Sequence, residues 1–350
     1  MRALTVRPGT AGSLAVREVP EPPAGDGDLL VAGVAVGVCG TDREIAAGEY
    51  GTAPPGREHL VLGHESLGRV QEAPPGSGFA PGDLVVGVVR RPDPEPCGAC
   101  AHGEPDMCRN GRYSERGIGG LDGFASPRWR VEAGYAVRLD PALHRTGVLL
   151  EPTSVVAKAW EQIERVGARA WFEPQRLLVT GAGPIGLLAA LLGVQRGLDT
   201  HVLDVVTDGP KPELVRALGA TYHHDGLDRA VSGAEPDVVL EATGVSSIVF
   251  GALSRTAPYG ITCLTGVSAG GTRIGVDGGA LNREIVLDND VVIGSVNANR
   301  RHYQQAAEAL ATADAGWLER LISRRVPLER ATEAFERRDG DVKVVLDLEG

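Results

Sequence analysis

Lysine is nearly missing from this chain: it supplies three of the 35 basic residues, and arginine supplies the rest. That skew reads as a base-composition bias of the gene rather than as chemistry. A basic excess is missing as well. The formal net charge is −11, and a surface without a cationic face cannot release the counterions that drive phosphate-backbone binding, which argues against a nucleic-acid partner. Arg90-Arg91, Arg300-Arg301 and Arg324-Arg325 are isolated pairs of the kind that stay solvated or ion-paired. No apolar leader opens the sequence, since Met1-Arg-Ala-Leu-Thr-Val-Arg7 alternates in polarity as a strand does. The one long uncharged run, Leu177–Gln195, is nearly long enough to span a bilayer, but Thr180-Gly-Ala-Gly-Pro-Ile-Gly186 breaks it into a strand, a turn and a helix. Internal repeats and low-complexity tracts are absent. With five cysteines and no secretory signal, clustered thiols point to metal ligands in a reducing compartment rather than to disulfides. The expectation is a soluble, cytoplasmic protein with no membrane partner.

At 350 residues, 43% hydrophobic and 23% charged, the chain has the makings of an ordinary globular protein of two domains. The first 90 or so residues hold short strand-like runs between Gly and Pro turns, among them Leu29–Val38, Leu67–Val70 and Asp83–Val89, and predict a compact, barrel-like β domain. Thr52–Arg57 (TAPPGR) is a loop near Cys39. Leu149-Leu-Glu-Pro152 opens a helix running to about Val166, with Pro152 in its first turn. From Arg176 onward strands alternate with helical stretches: Arg176–Thr180, Thr200–Leu203, Asp237–Glu241, Ile261–Thr265 and Val291–Val296. That alternation predicts a doubly wound parallel sheet and an α/β fold class. Val342–Leu348 is again strand-like and rejoins the first domain. The expected boundaries are 1–153 with 299–350 for a catalytic, zinc-binding domain and 154–298 for a Rossmann dinucleotide-binding domain.

The chemistry concentrates in Val36–Gly68, which carries Cys39-Gly-Thr-Asp42 at one end and Gly63-His-Glu65 at the other. A thiol, an imidazole and a carboxylate are the donors of an open zinc site; a lone buried cysteine would be the bland alternative. Cys39 and His64 are the expected ligands. Glu65 or Glu151 completes the set, one directly and the other through water or in an alternate state, unless Glu151 is only an N-terminal helix charge. Thr41 can relay a hydroxyl proton outward, and Asp42 orients the loop. His59 is a further imidazole, better read as surface.

A second cluster, Cys97-x2-Cys100-x7-Cys108, is an incomplete four-ligand zinc pattern. In a C-x2-C-x2-C-x7-C loop the first ligand would fall at Pro94, which cannot bind. Asp93, Glu95 or His102 could replace it; otherwise the cysteines are relics of a lobe without metal.

Leu177-Leu-Val-Thr-Gly181-Ala-Gly183-Pro184-Ile185-Gly186 follows a strand and opens a helix, the context a dinucleotide fingerprint needs. Gly181 permits the tight turn, Gly183 lets a pyrophosphate approach, and Gly186 lets the helix lie on the sheet. The phosphates sit at the helix N-terminus. Asp204 ends the next strand, where a carboxylate accepts the ribose hydroxyls and repels a 2′-phosphate. Val205-Val206 follow it in place of arginines, so NAD is expected over NADP. The alternative is an Asp that merely caps the following turn.

Together these segments resemble the zinc-dependent medium-chain dehydrogenase/reductase superfamily over essentially the whole chain. Within it the resemblance is to the microbial glucose 1-dehydrogenases. It is carried by Thr41–Ile45 with Gly48–Gly51, Leu60–Glu65, Pro105–Cys108, Tyr113–Ile118 with Asp122–Phe124, and Gly294–Asn297. The resemblance implies a GroES-like catalytic domain built from both chain ends around a central Rossmann domain, through which the protein assembles as a homodimer or homotetramer. It further implies that Glu115 hydrogen-bonds sugar hydroxyls and that Asn297 lies near nicotinamide and substrate. On its own, Glu115 beside Arg112 and Arg116 reads as a surface ion pair. Three features depart from the family pattern: Asp204-Val-Val instead of arginines, three cysteines instead of four, and Val155 where some relatives carry a substrate-binding acid.

The resulting expectation is a zinc-dependent, NAD-linked oxidation of an aldose, glucose foremost, at C1 to the lactone. Thr41 and Glu65 are its catalytic candidates, and Thr41, Glu115, Glu151 and Asn297 its substrate contacts. The rival reaction is oxidation of a cyclitol, aminocyclitol or polyol to a ketone. A silent, non-enzymatic relative would have no use for Cys39, His64 and Glu151 together.

Overall fold

A computed structural model describes residues 1–268, 270 and 273–349. The chain divides into two compact units, Met1–Ser154 with Ala298–Gly350, and Val155–Asn297.

In the first unit the organising strand is Leu29–Val38. Its Val- and Leu-rich sequence suits a strand buried on both faces, and most of its length is indeed buried. It pairs antiparallel with Glu65–Glu72 on one side and with Lys343–Asp347 on the other, and its first half also receives Arg128–Val131. With Leu84–Gly87, Ala136–Arg138 and Ile322–Pro327 these make a seven-stranded sheet among the described residues. The C-terminal strand Lys343–Asp347 therefore sits inside the N-terminal domain's sheet, as the strand-like tail predicted. Phe124 and Trp129 anchor the core in an edge-to-face contact with centroids 4.8 Å apart; truncating either would cost about 3–5 kcal/mol. A separate three-stranded sheet is made by Arg90–Arg91, Ser114–Arg116 and Gly120–Leu121.

Among the described residues the second unit holds six parallel strands. They run across the sheet as Thr221–His223, Asp199–Leu203, Arg176–Thr180, Val238–Glu241, Ile261–Leu264 and Val291–Gly294. Numbered along the chain that is the order 3-2-1-4-5-6, so the strand order reverses beside Arg176–Thr180, where doubly wound sheets bind nucleotides. The expected strands agree within one or two residues, the ordinary uncertainty of strand ends; Thr221–His223, too short to announce itself, was not among them. The expected helix from Leu149 runs from Leu150 to Gly167. Val156, Ala159, Trp160 and Ile163 recur at helical spacing and are buried.

Candidate active site

Cys39, His64 and Glu65 come together because two strands of one sheet lie side by side. Leu29–Val38 delivers Cys39 directly beyond its end, and Cys39 becomes the N-cap of the helix Gly40–Ala46. Asp42 sits at the third helical position and its carboxylate accepts the Cys39 backbone N–H at 2.9 Å, closing a reciprocal cap. The neighbouring strand begins at Glu65, directly after His64. Cys39 Sγ and His64 Nε2 are 3.1 Å apart, and ligand atoms of Cys39, His64 and Glu65 all lie within 4.8 Å of one another. The other His64 nitrogen, Nδ1, is 3.4 Å from Asp42 Oδ1. Asp42 thus orients both the loop and the imidazole, the arrangement of a carboxylate behind a metal-ligating histidine.

Burial works against a charged His64, yet the Cys39 and Asp42 charges hold its pKa well above the usual value. Glu151 enters from the first turn of its helix. Burial pushes its carboxyl up to about 7, His64 opposes that shift and Glu65 adds to it. It stands outside the three-member set but within its field. Three carboxyl groups, Asp42, Glu65 and Glu151, stand here with the Cys39 thiol, the His64 imidazole and one lysine, and the mixture of S, N and O donors suits zinc. Thr41 lies half-buried one residue into the helix.

The lysine is Lys343, which no motif contains. It is buried, and its Nζ meets Glu65 Oε2. Register explains the meeting. Gly37 pairs with Glu65 on one side and with Val345 on the other, so the Glu65 carboxylate and the Lys343 stem meet over Gly37. A Cβ on Gly37 would fall 1.9 Å from Glu65 Oε2 and 2.9 Å from Lys343 Cε. Glycine there is a steric requirement of the pair.

The three thiols of the second cluster also converge, with Cys97, Cys100 and Cys108 ligand atoms within 4.8 Å of one another. Cys97 caps the short helix Gly98–Ala101, and its Sγ accepts the Arg109 N–H at 3.3 Å. Backbone N–H groups of Arg109 and Cys100 bring its thiol down to about 6, whereas burial pushes Cys100 up. The substitutes for the fourth ligand are engaged elsewhere. Asp93 is buried and accepts from the Glu95 N–H, Asn110 and Arg112. Glu95 is exposed and pairs with Arg112 at 2.9 Å, and the exposed His102 turns Nδ1 to the Gly98 carbonyl at 2.7 Å. Among the described residues the set consists of the three thiols.

Glu115 differs from the surface ion pair expected of it. It is buried, and its partner is Arg90 at 2.9 Å; Arg112 is taken by Asp93 and Glu95, and Arg116 reaches the Asp26 carbonyl at 2.8 Å. Adjacency in sequence was the wrong guide, because residues next to each other on a strand point to opposite faces.

In the second unit the fingerprint turn has the shape its glycines predict. Gly181 has φ +94°, open to glycine at no cost. A Cβ on Gly186 would lie 1.8 Å from the Gly181 carbonyl oxygen. Gly183, the N-cap of the helix Pro184–Gln195, has open space where a side chain would be, a cradle that suits a pyrophosphate. Pro184 and Ile185 form the first helical positions. Asp204 accepts the Ala182 N–H at 2.6 Å and the Val206 N–H at 3.2 Å, and Lys211 Nζ lies 3.3 Å away. It caps its own turn, the plainer of the two roles weighed for it, and also ties down the fingerprint turn. Burial opposes its ionisation, but the Ala182 N–H and Lys211 outweigh that and hold its pKa below the usual carboxylate value. Asn297, beyond the end of the strand Val291–Gly294, has φ +62°, a left-handed conformation that asparagine tolerates. Glu241 went unremarked in the sequence. It is fully buried at the end of its strand and accepts the Thr243 N–H at 2.7 Å and the Thr180 hydroxyl at 3.2 Å.

The model of the alcohol dehydrogenase GroES-like domain matches residues 25–141, and that of the glucose dehydrogenase C-terminus matches residues 144–348. A glucose 1-dehydrogenase of Thermoproteus tenax is 42% identical over 358 residues, covering 100% of both chains. One of Methanocella arvoryzae is 38% identical over 357 residues, covering 99% of each. Among solved structures, Haloferax mediterranei glucose dehydrogenase in complex with NADP, Zn and gluconolactone superposes with a TM-score of 0.90 at 32% identity, covering 99% of each chain. No helix among the described residues is long and apolar enough to cross a membrane. With both family models matched and relatives aligned end to end, the chain belongs to the zinc-dependent medium-chain dehydrogenase/reductase superfamily, in its glucose dehydrogenase branch.

Proposed function

We propose that this enzyme oxidises the anomeric hydroxyl of an aldopyranose, glucose foremost, to the lactone, and that it uses NAD in preference to NADP. The C1 hydrogen leaves as hydride to the nicotinamide, the hydroxyl proton leaves to solvent, and the C1–O bond becomes a carbonyl. The carrying observation is the Cys39–His64–Glu65 cluster, with His64 and Glu65 buried and Cys39 half-buried, in a chain that also bears the Gly181–Gly186 fingerprint. The relatives named glucose 1-dehydrogenase and the Haloferax complex with gluconolactone support the substrate.

Cys39, His64 and Glu65 would hold the zinc, with Glu151 as a further carboxyl group beside them. Bound there, zinc acts as a Lewis acid toward the hydroxyl oxygen. Asp42 keeps His64 in the orientation and tautomer for ligation. Thr41 hands the hydroxyl proton on, Glu115 accepts sugar hydroxyls, and Asn297 contributes an amide at the end of its strand. Pro184 and Ile185, with Gly183, present the helix N-terminus to the pyrophosphate.

The NAD preference rests on Asp204 and on the absence of arginine from the four residues after it, Val-Val-Thr-Asp208. The Haloferax relative was solved with NADP; here Lys211, the nearest cation to Asp204, is already paired to that carboxylate. A homo-oligomer formed through the second unit is the companion proposal. Val291–Gly294 is an edge strand with Val292 exposed, and the helix Gly278–Asp288 exposes Val286 and Leu287. An apolar sheet edge of this kind invites pairing with a second copy. Light scattering of the pure protein tests it; a monomer at micromolar concentration refutes it.

A panel of aldoses, cyclitols and polyols with NAD and NADP, read as reduced cofactor and product, tests the activity. Lactone formation from glucose, with kcat/KM higher for NAD, is expected. Ketone formation from cyclitols or polyols alone would overturn the substrate assignment, and an NADP preference the cofactor assignment. Cys39→Ala should lower kcat on the order of a thousand-fold; full turnover would remove the metal from the reading.

A further inference from the structure

Arg90 and Glu115 face each other directly across the antiparallel pair Arg90–Arg91 and Ser114–Arg116, so their side chains share a face. Both are buried. Arg90 Nε and Nη2 donate to one carboxylate oxygen, Glu115 Oε1, at 3.1 and 2.9 Å. Its Nη1 donates to the backbone carbonyl of Asp106 at 3.3 Å. The guanidinium carbon lies 3.6 Å from the centre of the Tyr113 ring. One planar cation thus has an aromatic face against it, the carboxylate on one edge and the cysteine lobe on the other. Asp106 belongs to the turn Pro105–Met107 that leads into Cys108. The lobe is held from a second side as well: Asn299 Nδ2 donates to the Gly103 carbonyl at 2.6 Å and to Asp106 Oδ1 at 3.1 Å.

Such a pair is a poor choice for stability alone, since desolvating two charges offsets most of their attraction. It is a good choice for holding a carboxylate in one orientation, because the guanidinium fork and the stacked ring allow few alternatives. The Glu115 charge also reaches an open part of the surface. Tyr50 is half-exposed, and its phenol is raised by burial first and by Glu115 next.

We infer that Arg90 is a positioning residue for sugar recognition: it fixes Glu115 for the substrate hydroxyls, and through the Asp106 carbonyl it makes that position depend on the folded Cys97–Cys108 lobe. The inference rests on Glu115 contacting the sugar, as proposed above. It gives the lobe a role in substrate affinity in addition to its own stability.

The test uses the full-length, zinc-supplied enzyme and steady-state kinetics for glucose and its C2, C3 and C4 epimers, with the far-ultraviolet melt as a fold control. Glu115→Ala should raise the glucose KM about 10–100-fold, the worth of a charge-assisted hydrogen bond. Arg90→Met should raise it by a similar factor, Arg90→Lys by less, and both should narrow the discrimination among epimers. In the Glu115→Ala background Arg90→Met should add nothing, because the two act as one unit. Cys108→Ser should raise the sugar KM in the wild-type background and leave it unchanged in the Glu115→Ala background. The KM for the dinucleotide should stay within about two-fold throughout, since the affected contacts all belong to the sugar side.

If Glu115→Ala leaves the sugar KM alone, the Glu115 assignment fails and the inference with it. If Glu115→Ala raises KM but Arg90→Met does not, the assignment stands and the inference fails. Additive effects of Arg90→Met and Glu115→Ala would equally overturn it, as the signature of a general structural loss. An unchanged sugar KM in Cys108→Ser would overturn the dependence on the lobe.

Discussion

Glu65 and Asp204 are both carboxylates that sequence motifs single out, one after the metal-site histidine and one after the second strand of the nucleotide fold, and each faces a lysine that no motif contains. The settings differ. The Glu65–Lys343 side chains are 3% and 2% exposed, while those of Asp204 and Lys211 are 9% and 25% exposed. Lys343 reaches Glu65 across a sheet from the far end of the chain. Lys211 is seven residues from Asp204, on the first turn of the helix Pro210–Ala217. The third lysine, Lys158, is buried and donates to the Val296 carbonyl at 3.0 Å. None of the three is exposed, so in a chain that otherwise uses arginine, lysine survives where a compact ammonium on a thin stem fits and a planar guanidinium does not. A buried pair answers to desolvation, and a half-open pair answers to solvent and ligand. The two lysines should therefore respond differently to the same substitution.

The largest effect is expected at Lys343. Lys343→Met removes the cation from a buried carboxylate, which should cost about 3–5 kcal/mol in the chelated protein, read as a lowered urea midpoint. Adding zinc should recover part of the loss, because the metal takes over the charge of Glu65, and by linkage the variant should then bind zinc more tightly than wild type does. A loss below about 1 kcal/mol, the level of a surface pair, would erase the difference between the two lysines.

Next comes Asp204→Asn. The amide keeps one acceptor for the Ala182 N–H and loses the charge, so about 1–2 kcal/mol should go, and kcat/KM for NAD should fall about ten-fold with little change for NADP. Equal losses for both cofactors would mean that Asp204 only braces the turn.

Much of this was open to a reader of the sequence, for a physical reason. The fingerprint is a local object: Gly181, Gly183 and Gly186 act within one turn, and their spacing carries the geometry. The convergence of Cys39, His64 and Glu65 was also legible, because candidate metal ligands are recognised by donor type. The lysines and Arg90 were not, because their roles are set by strand register. Lys343 becomes a partner of Glu65 only once Lys343–Asp347 lies beside Leu29–Val38, and Arg90 meets Glu115 only when two very short strands pair. Sequence proximity even misled at Glu115, whose chain neighbour Arg116 points the other way. Lys211 could have been found, since a cation in the first helical turn after the second strand lies within reach of the carboxylate that ends it.

Lys211→Met is the smaller counterpart of Lys343→Met. A partly open pair at 3.3 Å should contribute only about 1 kcal/mol, so the melt should barely move. Its signature should be in cofactor choice: removing the cation paired with Asp204 should depress kcat/KM for NADP more than for NAD and steepen the proposed preference for NAD. A shift toward NADP would mean that Lys211 serves only to neutralise Asp204.

The smallest expected effect is a change of slope with pH, and it isolates the Asp204 charge itself. The carboxyl has a lower pKa in the folded chain than in the unfolded one, with burial opposing and the Ala182 N–H, Lys211 and the Val206 N–H favouring the ion. A group with a depressed folded pKa contributes stability that is complete above its unfolded value, near 4, and that fades as pH falls through the folded value. Wild-type unfolding free energy should thus decline more steeply than that of Asp204→Asn as pH drops below about 4, and the two curves should run parallel above about 5. Lys211→Met should flatten the same limb only in part, because the backbone donors remain. Were the acid limb of Asp204→Asn to match that of wild type, the ion would carry no weight in the fold, and its retention at the end of the strand would have to be explained by the dinucleotide alone.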